Sequence, residues 1–160
     1  QLLCASRVGQ LGIAGWNRTV NKWIGTATRK QWFVGRPVLI TKNDHGNNLY
    51  NGDVGVVCSD KNGEVRVVFD GLVASREFPT VRLPEVETVH ALTIHKSQGS
   101  EYQHAIVVLP TGRSRLLTRE LLYTGVSRAR EQLTIVASES ALRTAVNTVV
   151  IRASGLADRL

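Results

Sequence analysis

Cysteine is scarce: Cys4 and Cys58 are the only two in 160 residues, which excludes a disulfide framework and a cysteine-rich metal site. The four histidines, His45, His90, His95 and His104, show no zinc-ligand spacing. No apolar run approaches the ~20 residues that a membrane-spanning helix needs. No signal-peptide pattern is visible, and the chain opens on Gln1 rather than Met. An upstream segment is therefore expected, and the expected compartment is the cytoplasm. The phosphate-cradling pattern G-x-x-x-x-G-K-[ST] is also missing. Gly9, Gly12 and Gly15 carry no Lys-Ser or Lys-Thr behind them. No acidic pair follows an apolar strand to hold a magnesium ion. By itself the chain is expected not to hydrolyse a nucleoside triphosphate.

What is present is an ordinary globular balance, 42% hydrophobic and 21% charged, which argues against disorder. A chain of this length buries roughly two-thirds of its unfolded surface, enough for a real core. The formal charge of +7 is unevenly spread. Residues 1–43 hold seven basic and no acidic residues, 44–101 five basic and nine acidic, and 102–160 eight arginines and four acids. Two basic flanks around an acidic middle predict that only part of the surface faces a polyanion. Arginine outnumbers lysine 15 to 5, which suits phosphate recognition because guanidinium meets phosphate as a planar fork. The plainer reading is a basic surface with no partner.

Residues 1–16 read as a short strand and a turn, and Asn17–Ile24 as an amphipathic helix capped by Asn17. Residues 25–35 are basic and irregular, and Pro37–Thr41 is a buried strand. From Asn43 to Glu87, short β runs alternate with Asn51-Gly52, Asn62-Gly63 and Asp70-Gly71 turns, the signature of hairpins. Residues 44–86 therefore form a small inserted β-barrel. Glu87–Ile94 reads as one strand, Ser97–Tyr102 as a tight turn, and Ala105–Leu109 as a strand buried on both faces. Thr118 caps a helix reaching Ala129, with Leu122, Val126 and Ala129 on its inner stripe. Leu133–Ala137 is the next strand. From Ser140 onward a closing helix is expected, with Leu142, Val146 and Val149 or Val150 in register.

Two segments carry chemistry. In Val89–Pro110, VHALTIHKSQGSEYQHAIVVLP, a strand delivers Thr93, His95, Lys96, Ser97 and Gln98 into a turn that Gly99 lets bend sharply. Strand ends of open parallel sheets are where such folds bind ligands, and these side-chain types suit phosphates and bases. The alternative is an ordinary polar connection. In Leu116–Ala137, LLTRELLYTGVSRAREQLTIVA, Arg128 closes a helix and points away from its apolar stripe. An arginine fixed on a rigid element can stabilise charge on a transferring phosphoryl group. Alternatively it pairs with Glu131 or Glu120 on the surface.

Together, TIHKSQGSEYQHAIVVLP and LLYTGVSRAREQLTIV resemble the fifth and sixth motifs of superfamily 1 helicases. LLCASRVGQLGIAGWN, GRPVLITKNDHGNNLYNGDVGVV and FPTVRLPEVET narrow the resemblance to the RecD family, the alpha subunits of exodeoxyribonuclease V, over roughly residues 1–155. The resemblance implies an α/β fold: a RecA-like second motor domain, a parallel sheet with flanking helices, formed by 1–43 and 87–160, with an SH3-like β-barrel inserted at 44–86. It implies that Arg128 is a catalytic arginine finger and that Arg7, Gly99, Glu101 and Arg128 meet ATP. It implies that Thr93, His95, Lys96, Ser97 and Gln98 meet single-stranded DNA. The implied cofactors are ATP and Mg2+, with the metal ligands outside this segment. The implied partners are single-stranded DNA, the beta and gamma subunits of exodeoxyribonuclease V, and the missing N-terminal motor domain. The implied activity is 5′-3′ DNA unwinding in double-strand break repair and recombination.

Two other readings stay open on the sequence: a non-catalytic single-strand or protein binding module, and a segment of a stand-alone RecD-like helicase or of a conjugative relaxase, which share HKSQG. The motor reading expects Arg128 and the 93–98 segment to border one edge of one sheet.

Overall fold

The structure, a computed structural model, describes residues 1–24, 31–69, 74–83 and 85–150. The basic stretch 25–30 and the Asp70-Gly71 turn lie outside the described residues. In chain order the elements are β1 (Leu2–Cys4), α1 (Ile13–Trp23), β2 (Pro37–Ile40), β3 (Val54–Ser59), β4 (Val65–Phe69), β5 (Arg76–Pro79), β6 (Val86–Thr88), β7 (Ala91–Thr93), β8 (Tyr102–Val108), α2 (Arg119–Val126), β9 (Ala129–Val136) and α3 (Glu139–Asn147). The chain divides into two compact units. Gln1–Ala14 joins the chain from Ala91 onward, and Gly15–His90 forms the other, so one boundary falls inside α1.

The first unit is built on a wholly parallel sheet of order β7-β1-β8-β9. Parallel strands need covered faces, and their sequences run apolar without alternation. Leu3, Val107 and Val108 are accordingly buried, together with Ile94, Leu109 and Leu117 from the flanking segments. Thr118 caps α2 as its sequence predicts, its hydroxyl accepting the Leu121 N–H at 3.3 Å. Ser138 caps α3 in the same way, at 3.2 Å from the Ala141 nitrogen.

The inward stripes of both helices differ from the sequence expectation. The buried positions of α2 are Leu121 and Gly125, not Leu122 and Val126. Those of α3 are Ala141 and Ala145, while Val146 is exposed. Small residues bring α2 and α3 close to their neighbours, Leu122 and Val126 are partly buried, and Val146 turns outward. A Cβ at Gly125 would lie 3.2 Å from Ile94 and 3.3 Å from Val107, so α2 sits tightly on both.

The second unit is an antiparallel sheet of order β5-β4-β3-β2-β6. Its core is Val38, Ile40, Leu49, Val57, Val67 and Phe69. β2, expected with the parallel sheet, pairs instead with β3 and β6, so this unit reaches beyond 44–86. The single strand expected at Glu87–Ile94 is two strands, β6 and β7, in different sheets. The break at Val89–His90 is the second boundary between units. The two ends of this unit are tied to each other: Asn17 Nδ2 donates to the Thr88 carbonyl at 3.2 Å, and His90 Nε2 lies 2.9 Å from Asn21 Oδ1. Burial, aided by the Arg36 charge, holds the His90 imidazole below its ordinary range, so it stays neutral.

Cys4 ends β1 fully buried, and burial pushes its thiol up from 9.0 to about 12. Only the thiolate is nucleophilic. We expect a thiol reagent at pH 8 to titrate Cys58 promptly and Cys4 only on unfolding; equal rates in the native chain would contradict this burial. The folded thiol ionises above the unfolded one, so its contribution to stability is whole below pH 9 and is lost as pH rises from 9 towards 12.

Candidate functional site

The 94–101 segment positions the candidate site. β7 ends at Thr93, whose register partner on β1 is Cys4, and Cys4 in turn pairs with Val108 on β8. Tyr102, at the start of β8, pairs with Ala129 at the start of β9. The segment therefore descends from the level of Val108 to that of Tyr102, six residues of strand, roughly 20 Å. Thr93 and Arg128 do not border one sheet edge, as expected from sequence. They lie at opposite edges, joined by this crossover. The reason is the parallel topology: a connection between two parallel strands must travel from the end of one to the beginning of the next.

The upper end is a set of tight turns in which polar side chains divide by burial. Thr93 and Ser97 are buried. Thr93 Oγ1 accepts the Lys96 N–H at 3.2 Å, and Ser97 Oγ donates to the Ile94 carbonyl at 2.8 Å. Both hydroxyls are committed to shaping the turn. His95, Lys96 and Gln98 alternate with them and are exposed. Sequence reading grouped all five. The signal that separates them is hydroxyl spacing, with Thr93 three residues before Lys96 and Ser97 three after Ile94. Gly99 then adopts φ +86°, a conformation costly for any residue with a Cβ.

The lower end is clamped by Arg128. Its Nε donates to the Thr124 carbonyl at 3.0 Å, Nη1 to the Ser100 carbonyl at 3.1 Å and Nη2 to Ser127 Oγ at 2.9 Å. Three of the five guanidinium N–H groups are thereby used. One N–H on each terminal nitrogen has no partner among the described residues. The guanidinium is half-buried and held from two elements, so its remaining donors have a fixed direction. Arg128 makes no ion pair with Glu120 or Glu131. Glu101 beside it is engaged by Arg130, Nε to Oε2 at 2.7 Å, with both side chains more than half exposed. Arg128 follows the C-terminal residue of α2 by two and precedes β9, which starts four residues earlier than its apolar stretch suggests. Its anchors on Thr124 and Ser100 are carbonyls, and backbone groups leave no mark in a sequence.

Gly99, Glu101 and Arg128 are thus brought together at the lower end. Arg7 is not with them. It is exposed in the loop after β1, beyond the level of Val108, at the same sheet edge as His95. Among the described residues no group of three His, Cys, Asp or Glu side chains is arranged to hold a metal ion, and no helix is long and apolar enough to cross a membrane.

Comparison with known proteins bears on what this arrangement is for. Residues 88–136 match the UvrD-like helicase C-terminal domain, a span that contains the crossover, α2 and β9. The chain is 48% identical over its whole length to the RecBCD enzyme subunit RecD of Mycolicibacterium smegmatis, of which it covers 29%. It is 41% identical over 98% of its length to RecD of Haemophilus influenzae, of which it covers 24%. It therefore spans less than a third of the length of these relatives. The fold is similar to that of a Pif1 helicase from Bacteroides solved with ADP-AlF3 and single-stranded DNA, with a TM-score of 0.61 at 17% identity, over 99% of this chain and 44% of that one. A parallel sheet with helices of this order is that of an α/β, RecA-like domain, and with identities of this size along its entire length the chain belongs to the RecD family.

Proposed function

We propose that the chain is the second motor segment of an ATP-dependent 5′-3′ DNA helicase subunit, acting with beta and gamma subunits of exodeoxyribonuclease V in double-strand break repair. ATP and its Mg2+ meet Gly99, Glu101 and Arg128 at the lower end of the crossover, with the phosphate loop and metal ligands supplied by the N-terminal motor domain. The two uncommitted N–H groups of Arg128 suit a phosphate, which takes paired donors from a planar fork. Single-stranded DNA meets His95, Lys96 and Gln98 at the upper end. Arg7 belongs with the strand side in this reading, because it stands at that edge. The second unit serves as the SH3-like barrel of the family.

The observation that carries the proposal is the crossover itself. One short segment, shaped by Thr93 and Ser97 and held at Ser100 by the Arg128 clamp, carries both groups of side chains, with Gln98 and Gly99 adjacent in it. A shift of Arg128 on meeting nucleotide moves Ser100, and the turn above it moves with the same rigid piece.

The test is single-strand affinity in the full-length protein. His95→Ala with Lys96→Ala is expected to weaken binding of a labelled oligothymidylate about tenfold and to lower the salt slope by ~0.7, one phosphate's worth. Binding that survives these changes but is lost on removing residues 44–86 would support the alternative, a binding module working through its β-rich unit.

A further inference from the structure

The 110–116 loop, which follows β8, carries three of the cavities along the upper sheet edge. Ser114 and Leu116 help line one with the loop after β1. Arg115 and Leu116 line a second with His95 and Gln98. Arg113 and Arg115 line a third, of about 590 Å³, against Ser140, Ala141 and Thr144 of α3. We propose that this third cavity is a phosphate subsite for single-stranded nucleic acid, extending the strand path from His95 across the sheet to α3. This rests on the strand-side reading of His95, Lys96 and Gln98 given above.

Besides Arg7 and Arg128, the described arginines of this unit fall into two groups. Arg119 Nε donates to the Val146 carbonyl at 2.9 Å, Arg143 pairs with Glu139 at 2.8 Å, and Arg130 with Glu101 at 2.7 Å. These have structural work. Arg113 and Arg115 make no hydrogen bond or ion pair among the described residues, and they project into a concave space instead of a flat surface. No carboxylate lines that space. The nearest on α3, Glu139, is held by Arg143, and Glu120, in the adjoining cavity, accepts the Val150 N–H at 3.1 and 3.2 Å. The hydroxyls of Ser140 and Thr144 are taken up within α3 and its cap, by Ser138 Oγ at 3.1 Å and the Ser140 carbonyl at 2.8 Å. The arginines are therefore the main anion ligands, and the first turn of α3 adds the positive end of its backbone dipole.

Two unpaired guanidinium groups beside a helix start, in a concavity lined by no acid, form a set that recognises a phosphodiester or phosphate anion. The cavity's place selects the strand. Arg115 lines both this cavity and the one holding His95 and Gln98, so the two sites are contiguous. From β7 to β9 is three strand spacings, about 14 Å, the length of roughly four stacked phosphates.

The experiment measures binding of labelled oligothymidylate to the full-length protein over a salt series, with pyrophosphate as a second probe. Arg113→Ala with Arg115→Ala is expected to weaken oligonucleotide binding about tenfold and lower the salt slope by ~1.4, two single-strand phosphates. The paired Lys variants keep the slope. Neither arginine has a structural partner, so the melting temperature of the Ala variant stays at the wild-type value. An unchanged slope in that variant, while His95→Ala with Lys96→Ala still weakens binding, overturns the subsite and leaves the motor reading intact. If neither pair of substitutions alters binding, both fall. If the Ala variant loses pyrophosphate binding but keeps its oligonucleotide affinity, the anion comes from free nucleotide and the strand assignment fails.

Discussion

If the proposed function holds, replacing Arg128 by alanine in the full-length protein is expected to lower ATP turnover ~10³-fold or more, the range by which phosphoryl-transfer enzymes depend on a finger arginine. The geometry explains why the loss should be so large. In the proposed reading, hydrogen bonds to Thr124, Ser100 and Ser127 orient the guanidinium in advance, which limits the reorganisation needed as charge develops. Lysine at this position keeps the charge but cannot make the same three bonds and still aim two donors, so Arg128→Lys is expected to remain severely impaired. A purely structural role predicts something different: turnover and single-strand affinity falling together, with a lowered melting temperature. The decisive measurement is therefore turnover beside oligonucleotide binding. Near-normal turnover in the alanine variant removes the finger assignment.

The second large effect concerns stability of the other unit. Phe69 is the largest fully buried side chain among the described residues. It meets Phe78 edge to face, with ring centroids 5.9 Å apart and planes at 71°, an arrangement worth more than its buried area alone. Phe69→Ala leaves a ring-sized hole between two hydrogen-bonded strands, and truncations of this kind cost about 3–5 kcal/mol. The three tryptophans, Trp16, Trp23 and Trp32, all lie in the Gly15–His90 unit. Their fluorescence therefore follows that unit during denaturation. The expected result is a strongly lowered midpoint in tryptophan emission. A midpoint unchanged within error would mean that Phe69 is not a core residue.

Much of this was legible before any coordinates. The β8 run AIVVL, the Thr118 cap and the hairpin turns each have local causes, and local causes are written in consecutive residues. The errors share a physical origin in tertiary choices. Leu122, Val126 and Val146 were expected inside because large apolar residues usually are. Close approach of α2 and α3 to their neighbours rewarded Gly125, Ala141 and Ala145 instead. The β9 start was missed because Arg130-Glu131-Gln132 does not look like a strand, yet an edge strand tolerates charge and is even protected by it. Glu87–Ile94 has continuous β character, and nothing in that pattern marks the change of sheet at Val89–His90. At the candidate site, the residue types in HKSQGSE and SRAR were enough to select the segments. Polarity does not tell which side chains face outward, since Thr93 and Ser97 are as polar as His95 and Gln98; only the three-residue hydroxyl spacing sets them apart. The 20 Å between the two ends follows from strand register, which a single sequence does not contain.

The bonds that tie Asn17 to Thr88 and Asn21 to His90 have an evolutionary corollary. A module whose departure and return points are stitched side by side behaves as a cassette. Changes of length or sequence in its hairpins are then expected to leave the pairing of β1 with β7 unaltered, and with it the position of the segment that Arg128 holds at Ser100.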